Sequence, residues 1–516
     1  MFNYVNYVNF LNSHSMIAKI FSAAVIGLNA ELIEVEVDVT NGLPATIVVG
    51  LPDTAIQESR ERVKAAIKNS ECSYPPTRVS VNLAPADVPK LGTHFDLPIA
   101  LGVLMASEQL VFVSLGKMFL GELSLDGQLR PVPGVLAAAI KAADLGIAEL
   151  FVPKKNAKEA ALVAGITVYP VESLKQLFSH LSGFSLLSPE PRQDPENILQ
   201  NLQAALDMRD IAGQELAKRA LEIAAAGSHN VLLSGPPGSG KTLLARAMSG
   251  ILPDLSLSEA LELTKIYSIA GKLSGSLVSS RPVRSPHHTT SNVALVGGGT
   301  NPRPGEITLS HRGILFLDEF PEFPRNVLEA LRQPLEDGVV TVARASGSYT
   351  FQAKFTLVAA QNPFPCGYAG DRKKPCSCSP GQIFKYQKKV SGPLLDRIDL
   401  HVEVPRLPYE KMAVGQQSEN SSVIKQRVSA ARAVQQKRFG GSKTNSEMNL
   451  VELKQHCQLA KTEEDVLKSA MKKYNFSGRS LHRILKVSRT IADLAGAENI
   501  TSQHLGEALI YRPKTE

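Results

Sequence analysis

The spacing of apolar and polar positions divides the chain into three folded stretches. From Met16 to about residue 180, β-rich runs (Leu32-Ile-Glu-Val-Glu-Val-Asp-Val39, Thr46-Ile-Val-Val49, Arg78-Val-Ser-Val-Asn-Leu83) alternate with helix-like segments, Asp53 to Lys68 and Leu97 to Ala106. That pattern predicts an α/β domain over 16–180. The apolar run Met16 to Leu28 is too short and too poor in a cleavage site for a leader, and reads as a first strand. Residues 1–15, rich in Asn and Tyr, form an extension, with Met16 as an alternative start. Residues 181–205 turn polar and Pro-bearing, the composition of an exposed linker. Strands and helices alternate again over 206–404. From 405 to 516 the pattern is helical, broken at Gly440-Gly-Ser-Lys-Thr-Asn445, and reads as a lid. No fixed-period repeat is present, which disfavours a solenoid.

Length and composition agree with this division. At 516 residues three domains are expected. With 43% hydrophobic and 20% charged residues and no apolar run of bilayer-spanning length, a membrane protein is excluded. The five cysteines are an odd count, three of them clustered, which argues against a disulfide framework and for the cytoplasm. Net charge is +7, and residues 406–516 carry 19 Lys and Arg against 11 Asp and Glu, so the tail holds the excess. Such a surface suits nucleic acid, or is simply solvated.

The chemistry sits in the middle stretch. Val231-Leu-Leu-Ser234 is a short apolar strand followed by Gly235, Pro236, Pro237, Gly238, Ser239, Gly240, Lys241 and Thr242, then a helix-forming run. Glycines let backbone N–H groups wrap phosphates, Lys241 reaches the outer phosphates of ATP, and Thr242 is a ligand for Mg²⁺. Gly313-Ile-Leu-Phe-Leu-Asp318-Glu319 is a second buried strand ending in two carboxylates, Asp318 for the metal and Glu319 as the base. A third strand, Phe355 to Ala360, leads to Asn362, placed to position water. Arg397 and Arg479 are candidates for contact with the γ-phosphate, Arg397 from a neighbouring subunit; surface ion pairs are the alternative. In the helix from Arg479, the cations Arg479, Arg483 and Lys486 share one side, serving an interface, DNA or solvent, while Leu481, Ile484, Leu485 and Ile491 pack on the other.

With those residues in place, the chain resembles the magnesium-chelatase-like AAA+ family, specifically the ComM/YifB proteins. The likeness runs from Met16 to Pro513. It is carried by Arg284-Ser-Pro-His-His-Thr-Thr290, Pro302-Arg-Pro-Gly-Glu-Ile307, His311 to Phe320, Gln361-Asn-Pro363 and Arg489-Thr-Ile-Ala-Asp-Leu494. The resemblance implies an N-terminal α/β domain with the Lon-protease-like (ribosomal S5 domain 2-like) fold, a parallel-sheet AAA+ core and an α-helical lid. It implies a hexameric, ATP-dependent DNA helicase that drives branch migration and integrates single-stranded DNA in natural transformation, with a recombinase as an associated partner. The alternatives are a chelatase-type subunit and an ATP-dependent protease-like remodeller. A Ser-Lys dyad is missing from the protease-equivalent stretches Gly92-Thr-His-Phe-Asp96 and Gly134-Val-Leu-Ala-Ala-Ala139, so the domain is expected to serve assembly or partner binding.

Val339 to Arg344, a turn at Ser346-Gly-Ser348, and Tyr349 to Lys354 give a β-hairpin signal. By resemblance to related ring helicases this hairpin projects into the pore, and an insert over His287 to Arg303 supplies a second loop. Arg344, Lys354, His288 and Arg303 are therefore candidate DNA contacts, with solvated charges as the alternative. Cys366, Cys376 and Cys378 suggest Zn²⁺, with a histidine or water as fourth ligand; free thiols are the alternative. Family members carry Cys-Pro-Cys at the start of this loop, where this chain has Phe364.

Overall fold

A computed structural model describes residues 17–199, 206–299, 302–344, 347–367, 376–407, 419–474 and 476–513. The extension 1–15 and Met16 lie outside the described residues.

The N-terminal region is built on a sheet of four strands, β1 (Ala18–Ile26), β2 (Asn29–Thr40), β3 (Ala45–Val49) and β4 (Arg78–Ala84), in the order β1-β2-β4-β3. Alternation sets its faces: Ile33, Val35 and Val37 of β2 are fully buried, while Glu34 and Glu36 point the other way. Helix α1 (Thr54–Asn69) starts where the Asp53 side chain accepts the Ile56 N–H, and buries Ile56, Val63, Ala66 and Ile67. Helix α2 (Asp96–Ala106) is apolar on nearly all sides and fills the space between sheet and α1. Gly102 permits that closeness, since a Cβ there would stand 2.4 Å from Val37 Cγ2. A second sheet of three parallel strands follows, β5 (Lys117–Phe119), β6 (Glu149–Pro153) and β7 (Thr167–Val171).

The two protease-equivalent stretches take up structural work. Thr93 donates its hydroxyl to the Glu122 carboxylate. Gly134 precedes the alanine-rich helix α3 (Val135–Asp144), which is buried from Val135 to Ala139. The stretch after residue 180 departs from a free linker: Glu190 N–H reaches Val168 O at 2.8 Å and Gln193 N–H reaches Ala161 O at 3.1 Å, so it lies along the N-terminal region.

The central region is a parallel sheet of β8 (Val231–Ser234), β9 (Val283–Arg284), β10 (Ile314–Leu317), β13 (Thr356–Gln361) and β14 (Leu400–Glu403), in the order β9-β10-β13-β8-β14. Its three middle strands are near-continuous apolar runs because helices cover both faces. Between β10 and β13 the chain makes an antiparallel hairpin of β11 (Val339–Arg344) and β12 (Gly347–Gln352). Val340 and Phe351 bury its base, and Ile26 and Leu28 of the β1–β2 turn pack into the same cluster.

The longer C-terminal helices are α7 (Ser421–Phe439), α8 (Lys461–Tyr474), α9 (Gly478–Leu494) and α10 (Ser502–Ile510), with a short helix at Leu450–His456 between the first two. Ile424, Val428, Ile484, Ile491 and Leu505 share one hydrophobic cluster with Ala220, Leu221 and Ile223 of helix α4 (Glu215–Gly227) and with Val231 of β8. The C-terminal helices and the central sheet are therefore one packed body. The chain returns to the sheet at its end, where His401 N–H donates to Tyr511 O at 2.8 Å. The Arg489 to Leu494 signature serves this packing: Arg489 caps Ala497 O and Glu498 O, both at 2.6 Å, while Asp493 binds Arg438.

Burial holds the imidazoles of His94 and His401 down to about 4, well below an exposed histidine. Asp96 works the other way, its carboxyl pushed up to about 6 by burial against the pull of Arg62. As pH falls below about 6.5 the unfolded chain protonates both histidines and the folded chain refuses them until about 4, so stability present above pH 6.5 is lost. Asp96 offsets about half of that loss between pH 6 and 4. The contribution of these three groups should fall by about 1.4 kcal/mol for each pH unit between 6 and 4.5. Melting temperatures measured across that interval should decline, and a flat or rising profile would contradict the burial of these rings.

Candidate functional site

The loop after β8 is shaped by its glycines. A Cβ on Gly235 would lie 2.1 Å from Val404 O, and Gly238 and Gly240 adopt φ of 74° and 94°. Helix α5 (Lys241–Ala247) begins directly at the loop's end, so its first N–H groups and those of the loop face the same space. Lys241 is buried there, its Nζ donating to Gly235 O (2.6 Å), Pro236 O (2.9 Å) and Asn362 Oδ1 (3.3 Å). Desolvation lowers its ammonium pKa, and Asp318 acts against that.

Strand order explains how residues far apart in sequence meet. β13 pairs with β8, Ser234 opposite Gln361, so Asn362 emerges beside the loop. β10 lies one strand further out, and Asp318 follows its last residue. Thr242 Oγ1 donates to Asp318 Oδ2 at 2.8 Å, and Asp318 Oδ1 accepts the Glu319 N–H at 2.9 Å. Glu319 takes a left-handed φ of 51°, which turns its side chain away from the strand. A hydroxyl and a carboxylate 2.8 Å apart, beside a cradle of N–H groups and one ammonium, are the hard-oxygen donors that suit Mg²⁺ carried by a polyphosphate.

The insert after β9 brings a residue that sequence reasoning had assigned elsewhere. His288, grouped with the DNA contacts, is half-buried with Nδ1 3.2 Å from Glu319 Oε2. The reason is the anchoring of its loop: Arg284 holds Glu306 by two hydrogen bonds of 2.6 and 2.8 Å, pinning the segment across the end of β10. Arg303 lies on a short antiparallel pairing opposite Gly298 and is exposed. Lys354 faces away from the hairpin tip, its Nζ 2.9 Å from Glu447 Oε1 of the C-terminal region. Arg344 closes β11 at the tip; its side chain lies outside the described residues.

Arg397 and Arg479 sit elsewhere. β8 and β14 are parallel with Val231 opposite Leu400, so Arg397, three residues before Leu400, belongs to the edge of the sheet opposite the phosphate loop. Both arginines line a cavity of about 700 Å³ between core and lid, together with Glu336, Asp399, Lys354 and Arg483. Arg479 is exposed, whereas Arg397 is buried against Pro393 O and Glu336. Arg483 and Lys486 are anchors of the lid: Arg483 pairs with Asp399, and Lys486 donates to Ser446 O at 2.8 Å.

The three clustered cysteines meet beside the phosphate loop. Their sulfurs lie within 4.8 Å of one another, Cys366 and Cys376 at 3.5 Å, close to the roughly 3.8 Å that tetrahedral zinc bonds require. Gly367, with φ of 76°, abuts the loop: a Cβ there would stand 2.8 Å from Pro237 Cδ. Sequence reasoning missed Gln214, whose Nε2 donates to Ser239 O (3.2 Å) and Pro405 O (2.7 Å) and so ties the loop to the exit of β14. A lone glutamine ahead of a helix carries no signal of that role.

Comparison with known proteins gives a consistent picture. Residues 207–412 match the family model of magnesium chelatase, subunit ChlI; residues 35–156 match that of subunit ChlI of Mg-chelatase; residues 418–512 match its C-terminal model. Competence protein ComM of Haemophilus influenzae is 45% identical over 96% of this chain and 97% of its own. An uncharacterised protein, YifB, of Escherichia coli is 44% identical over 96% of each. A DNA replication licensing factor of Schizosaccharomyces pombe is 25% identical over 27% of this chain and 16% of its own.

Lys241→Ala is expected to abolish nucleotide binding measured with a fluorescent ATP analogue. Glu319→Gln should bind it normally and turn over about 100-fold more slowly or worse. Near wild-type turnover in the second variant would remove Glu319 from the chemistry.

Proposed function

Because the chain belongs to the ComM/YifB family of magnesium-chelatase-like AAA+ ATPases, we propose that it is a cytoplasmic, hexameric ring motor that drives branch migration of DNA. Its substrates are then single-stranded and branched DNA, and its setting is the integration of single strands during natural transformation, with a recombinase as partner. The observation that carries this reading is the division of the pocket. Lys241, Thr242, Asp318, Glu319 and Asn362 meet at the carboxyl ends of the strands, one edge of the sheet layer, while Arg397 and Arg479 line a cavity at the other, amino, edge. Two edges of one sheet meet at a single nucleotide only when a second copy supplies one of them. Full-length likeness to a competence protein, and partial likeness to a replication licensing factor, support DNA as what the ring acts on.

That division supports the following roles. Backbone N–H groups of Gly235 to Thr242 and the Lys241 ammonium hold the phosphates. Thr242 and Asp318 would hold Mg²⁺, which when bound would supply positive charge to the phosphates. Asn362 orients the attacking water and Glu319 accepts its proton as the bond to the outer phosphate breaks. His288, against Glu319 Oε2, fixes which way that carboxylate points. Arg397 and Arg479 of a neighbour balance the charge that develops on the phosphate, worth about 10³ or more in rate for such an arginine. Arg303 and the tip of the β11–β12 hairpin, Arg344 included, contact the DNA backbone, while Lys354 acts at the foot of the hairpin through Glu447. The thiols of Cys366, Cys376 and Cys378 would hold Zn²⁺ and so fasten the loop whose Gly367 abuts Pro237.

Purified protein should move three-strand and forked DNA with ATP. Lys241→Ala and Glu319→Gln should not, and Arg397→Ala, mixed with Lys241→Ala, should regain ATPase activity by pairing one variant's arginine with the other's intact pocket. An active ATPase that leaves branched DNA untouched would refute the motor. Elemental analysis should find about one zinc per chain, lost on chelation together with ATPase activity. Rapid reaction of all three clustered thiols in the untreated protein would refute the metal.

A further inference from the structure

Arg397 is held by unequal bonds. It is 7% exposed; Nη1 donates to Pro393 O at 2.7 Å, Nη2 donates to the Glu336 carboxylate, and Nε is buried without a partner. Its backbone is fixed independently, because Arg397 O accepts from Arg483 Nη1 at 3.0 Å and from Asn230 Nδ2 at 3.2 Å. The guanidinium can therefore exchange a partner without moving the chain that bears it.

Glu336 is the exchangeable partner. Its side chain is 53% exposed, at the end of the short helix Arg332–Asp337, and it lines the same cavity as Arg397, Arg479 and Arg483. The hydrogen bond from Arg397, with the nearby charges of Arg397, Arg479 and Arg483, holds its carboxyl below the ordinary range in spite of partial burial. A carboxylate bonded to one guanidinium and within the field of two more is in the electrostatic setting of a phosphate, which planar guanidinium forks bind with more charge and more oxygens.

The position of Glu336 in the chain adds a second observation. Gly338, two residues on, turns with φ of 67° into β11, and its carbonyl accepts the Ala353 N–H at 2.8 Å, closing the foot of the β11–β12 hairpin. The Lys354 stem lies against Gly338, 3.0 Å from where its Cβ would be. Displacement of the hairpin is thus displacement of Glu336.

We propose that Glu336 is a positioning residue that parks Arg397: its carboxylate stands where the terminal phosphate of a neighbour's nucleotide stands during hydrolysis, and movement of the hairpin foot releases the arginine. This rests on the reading of Arg397 as acting on a neighbouring copy. DNA pulling on the hairpin and phosphate arriving from the next subunit then act on one ion pair, so turnover is restrained until both are present.

The test is steady-state ATP hydrolysis by the full chain, with and without a single-stranded oligonucleotide, alongside thermal melts. Glu336→Gln should raise the DNA-free kcat about three-fold or more with little change in KM, and shrink the stimulation by DNA correspondingly. Glu336→Asp, with a shorter reach and a weaker pair, should give an intermediate rise. An unchanged or lowered DNA-free kcat in Glu336→Gln, at wild-type melting temperature, overturns the proposal. If that variant melts low, Glu336→Asp decides, a raised kcat supporting the latch and an unchanged one overturning it. Arg397→Ala at the wild-type rate would overturn the underlying reading and the latch with it; an inactive Arg397→Ala beside an unaltered Glu336→Gln overturns the latch alone.

Discussion

The buried carboxylate of Asp399 is the point on which the ATPase half of the molecule turns. Burial alone would push it up, but Arg483, His229 and the Asn230 N–H reverse that and hold it well below the ordinary carboxylate range. Arg483 brings α9, Asn230 brings the start of β8, and Asp399 itself follows Arg397 by two residues. Asn230 is shared further, its Oδ1 accepting the Leu357 N–H of β13 at 2.9 Å. One charge thus sets the lid, the strand that ends in the phosphate loop, the strand that ends in Asn362 and the arginine segment relative to one another. Removing a partner would strand a charge in a dry interior, a penalty of about 3 kcal/mol or more.

The fold class and the meeting of Lys241, Thr242, Asp318 and Asn362 were legible in the sequence because each rests on a local signal. Apolar strands followed by Gly235 to Thr242, by Asp318-Glu319 and by Asn362 declare their own chemistry, and parallel pairing assembles them. His288, Gln214 and Glu336 were not legible in those roles. A histidine on Glu319, a glutamine bridging Ser239 and Pro405, and a glutamate on an arginine 61 residues away are meetings created by tertiary structure. Nor could helical spacing tell a lid anchor from a solvated cation: Arg483 and Lys486 fall on the basic side of α9, yet both are spent inside the protein.

The N-terminal region is more than an appendage. Its first turn contributes Ile26 and Leu28 to the cluster that includes the hairpin residues Tyr349 and Phe351, and Lys265 of α6 (Leu257–Ile269) reaches Asn29 Oδ1 at 3.0 Å. A domain whose protease-equivalent helix is buried alanine is, in this chain, a buttress for the ATPase core.

The single cluster joining α4, β8 and the C-terminal helices has a mechanical consequence. A lid hinged to its own core could open and close around a nucleotide while its neighbours stood still. Here the seam that α4 and β8 make with the C-terminal helices is filled with apolar side chains, which transmit strain and yield little, beside the polar cavity that holds Arg397 and Arg479. Core and lid are held as one body along this seam, so in the ring proposed above a change of angle falls at the contacts between copies. In that proposed ring, a lever of this stiffness would pass a stroke in one pocket to the adjoining one, the arrangement that favours firing in sequence.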